Sequence, residues 1–98
     1  MLVKLGVDIS RLDRHIRRIL NDIDIAYRME GQEAVITSTY EGNHTPSSLH
    51  YANQAIDIRL PKANLKRIMD HLVTHIPGDK YDIVKERDHI HIEYDPHK

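Results

Sequence analysis

The chain has 98 residues, with 14 Lys and Arg against 15 Asp and Glu, which gives a formal charge of -1. This length predicts one domain over residues 1–98, and the balanced charge excludes the basic footprint of a nucleic-acid-binding protein. Cys is absent, which excludes disulfides and thiolate metal ligands, and Phe and Trp are absent too, so Ile, Leu, Val, Ala and Tyr must form the core.

No apolar run is long enough to cross a bilayer, so no membrane span is expected. Residues 1–7 are too short and too weakly basic for a secretory signal. We therefore expect no export signal and a cytoplasmic protein on synthesis. Nothing in the sequence indicates the oligomeric state.

The first predicted element is an amphipathic helix. Ser10 with Asp13 three residues later resembles a capping box, so the helix is predicted to begin at Ser10. It should end near Met29, before Gly31. One stripe at helical spacing carries its apolar side chains: Leu12, Ile16, Ile19, Leu20, Ile23 and Ala26.

Two strands and a second helix are predicted next. Residues 34–38 read as a strand, and residues 39–49 have the Gly, Asn, Ser and Pro content of a loop. Residues 55–60 alternate between apolar and polar side chains, as a half-buried strand does. Pro61 is predicted to open a helix that runs to about His75.

Two short strands, over residues 81–84 and 89–94, complete the order helix, strand, strand, helix, strand, strand. This order predicts an α+β fold, with a small, mostly antiparallel sheet and two helices on one face. If the isoleucines of residues 55–60 and 89–94 face the helices, Asp57 and His91 face the open side. Any half-buried sheet also points polar residues outward, so alternation alone does not identify a site.

The chemistry of a zinc site is present in two segments. His50 and Asp57 lie in and just after the long loop, and the last strand contributes His89 and His91. A catalytic zinc takes three such ligands and keeps a fourth position for a water that the metal acidifies.

A hydrolytic site also needs a carboxylate that accepts the proton of the water. Glu86 lies three residues before His89, and Asp88 lies three residues before His91, so two registers remain open. The histidine that does not bind metal could donate to an oxyanion or orient the water. Glu93 shares the face of His91, either as an outer-shell partner or as a solvated carboxylate.

The remaining histidines have simpler interpretations. His71 and His75 are predicted to lie on the surface of the second helix, and His15 and His97 are predicted to be solvated. His44 lies in the loop before His50, which allows it to approach the site.

The combination of Ser48, His50 and Asp57 with a later acid and the His89-Ile90-His91 segment resembles a known family. It is similar to the zinc peptidases of the D-Ala-D-Ala carboxypeptidase/dipeptidase group, which includes phage L-alanyl-D-glutamate endolysins and the related hedgehog amino-terminal domain. The resemblance covers residues 34–60 and 81–94.

This resemblance implies a peptidase-like or hedgehog-like fold and one Zn²⁺ per chain, bound by His50, Asp57 and His91. It implies Ser48 as a contact of the substrate or of a ligand residue. It implies Glu86 or Asp88 as the catalytic base, with Glu86 favoured by similarity to hedgehog and Asp88 matching the Asp-x-x-His form of the endolysins. The implied activity is hydrolysis of a peptide bond in bacterial cell-wall peptides, with phage-type delivery to the wall.

Two positions depart from the family pattern. Asn53 replaces a common Gly, and Glu41 replaces the Arg with which the peptidases hold a substrate carboxylate. Arg59 or Arg28 could take over that contact. Glu41 makes the segment more similar to hedgehog, so the alternative function is a non-catalytic, metal-bearing binding or assembly module. In a third interpretation, this is a small α+β protein whose histidines are incidental.

Overall fold

A computed structural model describes residues 1–39 and 54–95. Within these residues the chain forms two helices and one five-stranded sheet. In chain order the elements are β1 (Leu2–Val3), α1 (Arg14–Arg28), β2 (Val35–Ser38), β3 (Ala55–Arg59), α2 (Leu65–His75), β4 (Tyr81–Lys85) and β5 (His89–Tyr94).

The sheet has the strand order β1-β2-β3-β5-β4. β2 with β3, β3 with β5 and β5 with β4 are antiparallel pairs, whereas β1 runs parallel to β2. The predicted α+β class and mostly antiparallel sheet are therefore confirmed, with a parallel edge that was not predicted. β1 spans only two residues, which is too short for any periodic signal.

Both helices pack on the face of the sheet that carries the isoleucines. These side chains are buried in one cluster: Ile16, Ile19 and Ile23 of α1, Ile68 and Leu72 of α2, Ile56 and Ile58 of β3, and Ile90 and Ile92 of β5. Burial of each such side chain contributes about 1.5–3 kcal/mol. The cluster fixes the register of β3 and β5, because a slip by one residue would expose every isoleucine.

The first helix begins later than its sequence indicates. α1 starts at Arg14, so the prediction of a start at Ser10 is wrong. The N–H of Ser10 donates to the Asp8 carboxylate, and the Arg17 guanidinium donates to the carbonyl oxygens of Ile9, Ser10 and Leu12. These bonds hold the preceding residues in turns, and Asp13 takes the N-cap position without a side-chain capping bond. The end of α1 at Arg28 agrees with the prediction.

The second helix also begins later, at Leu65 rather than at Pro61. Asn64 has a φ of 61°, a left-handed conformation that cannot continue a helix. The N–H of Lys62 donates to the side chain of Gln32, which holds this connection in a non-helical conformation. The predicted end at His75 is confirmed.

No helix in residues 1–39 or 54–95 has the length and apolar character needed to cross a membrane. The Tyr27 hydroxyl of α1 donates to the carbonyl of Arg59 at 2.7 Å, and burial raises the pKa of this phenol. This bond ties the end of β3 to α1, so the strand that carries Asp57 is anchored at its far end.

Candidate functional site

The open face of the sheet carries the candidate site at the pairing of β3 and β5. Asp57 and His91 are direct partners in this antiparallel pair, and Arg59 and His89 are the next pair on the same face. Their neighbours in sequence, Ile58 among them, are buried against the helices. The strand pairing therefore places Asp57 and both histidines on one side of the sheet.

The Asp57 carboxylate lies between the two imidazoles. Its Oδ1 is 2.9 Å from His91 Nδ1, a hydrogen bond, and 3.5 Å from His89 Nε2. The Asp57 side chain is only 13% exposed. A carboxylate held at this distance from two imidazoles can orient them, and it could share a cation with either.

Carboxylates flank His91 on both sides of its ring. Its Nδ1 meets Asp57, and its Nε2 lies 3.1 Å from Glu93 Oε1. The hydrogen bond to Asp57 raises the pKa of His91, burial opposes this rise, and the charges of Asp57 and Glu93 add to it. Of the two interpretations of Glu93, the structure supports that of a partner of His91.

His89 is oriented by the acid that precedes it. Its Nδ1 is 2.6 Å from Asp88 Oδ1, and this hydrogen bond lowers the pKa of Asp88. The opposite ring nitrogen of His89 faces Asp57. Glu86 lies across the hairpin, where its N–H donates to the His89 carbonyl at 2.8 Å and its side chain is exposed. Of the two acids predicted as the base, Asp88 thus contacts His89 through its carboxylate, whereas the contact shown for Glu86 uses the backbone.

A shallow cleft of about 370 Å³ adjoins this cluster. Its lining residues come from the β1–β2 edge, from β3 and from the β4–β5 hairpin: Lys4, Thr37, Asp57, Arg59, Asp88 and His89. The register shifts between Ile36 and Ser38 of β2, so two residues there oppose Asp57. The Thr37 hydroxyl is 3.4 Å from the Asp57 carbonyl.

Two of the three predicted zinc ligands, Asp57 and His91, are in direct contact through a hydrogen bond. Tetrahedral zinc with bonds of about 2.0–2.1 Å holds its ligand atoms about 3.3 Å apart. Asp57 Oδ1 and His91 Nδ1 are 2.9 Å apart, so a small displacement would admit the ion. The two atoms are also of the type that zinc prefers.

The described residues do not by themselves complete a metal site. Within residues 1–39 and 54–95, no group of three or more His, Cys, Asp or Glu side chains could hold a metal ion. The third predicted ligand, His50, and the predicted substrate contact, Ser48, lie outside the described residues, as do Glu41, His44 and Asn53. His97 also lies outside them.

The prediction that His15 is simply solvated is wrong. Its ring stacks on Tyr94 with centroids 3.8 Å apart, and its Nδ1 is 3.0 Å from Asp13. These two rings line a cavity of about 500 Å³ beside the end of α2, larger than the cleft at Asp57. Its rim carries Arg18 and Lys80 but also Asp22 and Asp79, so its charge selects no class of ligand.

The sequence interpretation missed the part of the cleft that the first strand builds. Lys4 follows β1, and its N–H donates to the Ile36 carbonyl, which extends the pairing with β2. Without β1, nothing in the sequence connects Lys4 with Asp57. His71 and His75 lie on α2 as predicted, with ring centroids 4.2 Å apart.

Comparison with family models, with curated proteins and with solved structures finds no match to this chain.

Proposed function

We propose that this protein is a zinc-dependent hydrolase that cleaves a peptide bond in bacterial cell-wall peptides. The observation that carries the proposal is the Asp57 carboxylate, held between the imidazoles of His91 and His89 on the open face of β3 and β5. A cleft of about 370 Å³ lies beside it, and we place the substrate peptide there. The substrate class comes from the resemblance of the motifs to the cell-wall peptidases.

In this proposal His50, Asp57 and His91 hold one zinc ion per chain. His50 belongs to the segment that leads into β3, five residues before the first residue of the strand, and Asp57 is the third residue of that strand. Bound zinc would supply a water with a pKa lowered to about 7 and would polarise the substrate carbonyl. Glu93 keeps His91 oriented through its other ring nitrogen.

Asp88 or Glu86 acts as the general base, taking a proton from the attacking water and giving it to the leaving amine. The structure favours Asp88 in one respect, because Asp88 lines the cleft with Asp57 and Glu86 does not. Sequence similarity to hedgehog favours Glu86. The two acids therefore need to be separated by experiment.

His89 is suited to stabilise negative charge on the substrate oxygen. Asp88 accepts a hydrogen bond from its Nδ1, and its Nε2 lies 3.5 Å from Asp57 Oδ1, so the positively charged form of the ring would carry a second proton on Nε2, beside Asp57. A donor fixed in this way can stabilise a developing oxyanion without reorganisation. Ser48, from the segment before His50, is the proposed substrate contact, and phage-type delivery would bring the protein to the cell wall.

A non-catalytic, metal-bearing binding or assembly module is the second candidate. Glu41, where the peptidases carry an Arg, favours this function. The exposed side chain of Glu86 on the hairpin is also compatible with a protein that keeps the metal but does not turn over.

Digestion of purified muropeptides by zinc-loaded protein, followed by chromatography and mass spectrometry, tests the proposal. We expect a new amino terminus within the peptide stem, and no product with Asp57→Ala. Zinc-loaded wild type that leaves muropeptides and D-Ala-D-Ala peptides intact would instead establish the binding-module function.

A further inference from the structure

Two cationic side chains, those of Arg59 and Lys4, line the cleft at Asp57. Arg59 follows Asp57 by two residues on the same face of β3, and Lys4 reaches the cleft from the β1–β2 edge. Two residues along a strand correspond to about 7 Å. Arg59 therefore lies about one peptide unit or one side chain away from the Asp57–His91 pair.

Within the described residues, the acidic and the basic side chains of this cleft differ in whether they have hydrogen-bond partners. The two acids, Asp57 and Asp88, lie against imidazole nitrogens of His91 and His89. Lys4 and Arg59 make no side-chain hydrogen bond or ion pair with any residue within 1–39 and 54–95, and both are exposed. The only described bond of Arg59 outside the sheet uses its backbone carbonyl, which accepts from Tyr27.

We infer that Arg59 and Lys4 bind a carboxylate of an acidic peptide, with Arg59 as the principal contact. A guanidinium binds a carboxylate with two parallel hydrogen bonds, and the lysine adds a second positive charge. Arg59 would thus supply the cation that is missing at Glu41. The inference rests on the proposed function only for the position of the scissile bond, since carboxylate binding requires no turnover.

The carboxylate has two possible sources, a side chain or a free carboxyl terminus. Three peptides separate them: acetyl-glycyl-glutamate amide, acetyl-glycyl-glutamine with a free terminus, and acetyl-glycyl-glutamine amide with neither. Dissociation constants can be measured by NMR titration with wild type, Arg59→Gln, Lys4→Gln and a control variant, Arg14→Gln. Arg14 is exposed and lies at the start of α1, outside the cleft lining.

We expect the side-chain carboxylate to bind wild type best, because the sequence has Glu41 where the peptidases it resembles have the Arg that holds a free carboxylate. Arg59→Gln should weaken this binding by about 5–20-fold, the range for a charge-assisted hydrogen bond at an exposed site. Lys4→Gln should weaken it by about 2–5-fold, and Arg14→Gln should leave it unchanged. Binding should weaken as NaCl rises, whereas the neutral peptide should show none of these effects.

Equal binding of the acidic and neutral peptides by wild type would overturn the inference, and so would equal effects of Arg59→Gln and Arg14→Gln. Preferred binding of the peptide with a free terminus would assign the cations to terminal recognition instead of side-chain recognition. If acidic peptides bind through Arg59 but no peptide is ever cleaved, the inference stands and the hydrolase proposal fails.

Discussion

The two faces of β3 and β5 are built from the same alternation of apolar and polar residues and have opposite chemistry. Toward the helices, Ile56, Ile58, Ile90 and Ile92 are fully buried in the core. Toward the open side, Asp57 and His91 occupy the positions between them, with hydrogen bonds in place of apolar packing. The buried face fixes the register of the strands, and that register brings Asp57 opposite His91.

This comparison shows how a small core can position a polar site accurately. The side-chain period of a strand is two, so the packing of each isoleucine also fixes the direction of its polar neighbour. Changes on one face should therefore affect stability, and changes on the other should affect metal and substrate chemistry. The experiments below separate the two faces.

The largest effect is expected on the rate of hydrolysis. Replacing the base by its amide, as Asp88→Asn or Glu86→Gln, should lower the rate by about 10²–10⁴-fold. Bound zinc should persist, since neither acid is a proposed ligand. Peptide cleavage rates, together with metal content by mass spectrometry, identify the base as the acid whose amide loses activity. Full activity in both variants would remove the base role from the β4–β5 hairpin.

A change on the buried face should affect stability instead. Ile58→Ala deletes a buried side chain and should lower the free energy of unfolding by about 2–5 kcal/mol, through lost burial and a residual cavity. The folded fraction should still bind zinc. Its neighbour on the open face provides the matched control, because Arg59→Ala should change stability by less than about 0.5 kcal/mol. Urea denaturation measures the free energy of unfolding of both variants. Equal losses of stability in Ile58→Ala and Arg59→Ala would contradict the separation of the two faces.

The two histidines of β5 should differ in their contribution to zinc affinity. His91→Ala should weaken zinc binding by more than about 100-fold, beyond the usual cost of losing an outer-shell partner. His89→Ala should change affinity by less than about tenfold while it impairs hydrolysis. Competition with a chelating dye gives both affinities. The reverse result would make His89 the ligand and favour Glu86 as the better-spaced base.

The smallest expected effect is the pH dependence of the metal-free protein. The hydrogen bond to Asp57 raises the pKa of His91 in the folded state. A raised pKa of His91 stabilises the folded protein at pH values below the unfolded-state pKa of about 6.5. This contribution disappears as the pH rises through the folded-state pKa of His91. We expect about 1 kcal/mol or less, since the pair is partly solvated.

Thermal melts in the presence of a chelator should therefore show a stability contribution at pH 5.5 that is absent at pH 8.5. Asp57→Asn should reduce that difference, because the hydrogen bond to the Asp57 carboxylate is the largest cause of the raised pKa of His91 and Glu93 remains beside the ring. Zinc affinity should show the opposite trend and increase with pH, since the metal competes with the proton on His91. An unchanged pH dependence in Asp57→Asn would show that the pair does not interact in solution.

Much of this arrangement follows from the sequence, because alternation is a strong local signal. The isoleucines of residues 55–60 and 89–94 indicated two half-buried strands and placed Asp57 and His91 on the same face. Their direct pairing could not be predicted, since it depends on which strands are neighbours and in what register. The connection from β3 to β5 passes through α2 and β4, and no local pattern specifies that β5 lies between β3 and β4.

The errors arose where long-range contacts override local preference. The residues before Arg14 resemble a capping box, but Arg17 holds them in turns through three carbonyl oxygens. Pro61 is a common first helical residue, but the left-handed Asn64 delays α2 by four residues. Lys4 could not be assigned to the cleft, because β1 is defined only by its pairing with β2.

The zinc content of wild type and Asp57→Ala, both purified without a histidine tag and loaded under identical conditions, tests the central claim most directly. Wild type should hold about one zinc ion per chain, and Asp57→Ala should hold almost none, because removal of the carboxylate eliminates a proposed ligand and the hydrogen-bond partner of His91 Nδ1. Circular dichroism would verify that the variant is folded. Full zinc occupancy in folded Asp57→Ala would contradict the proposed ligand set.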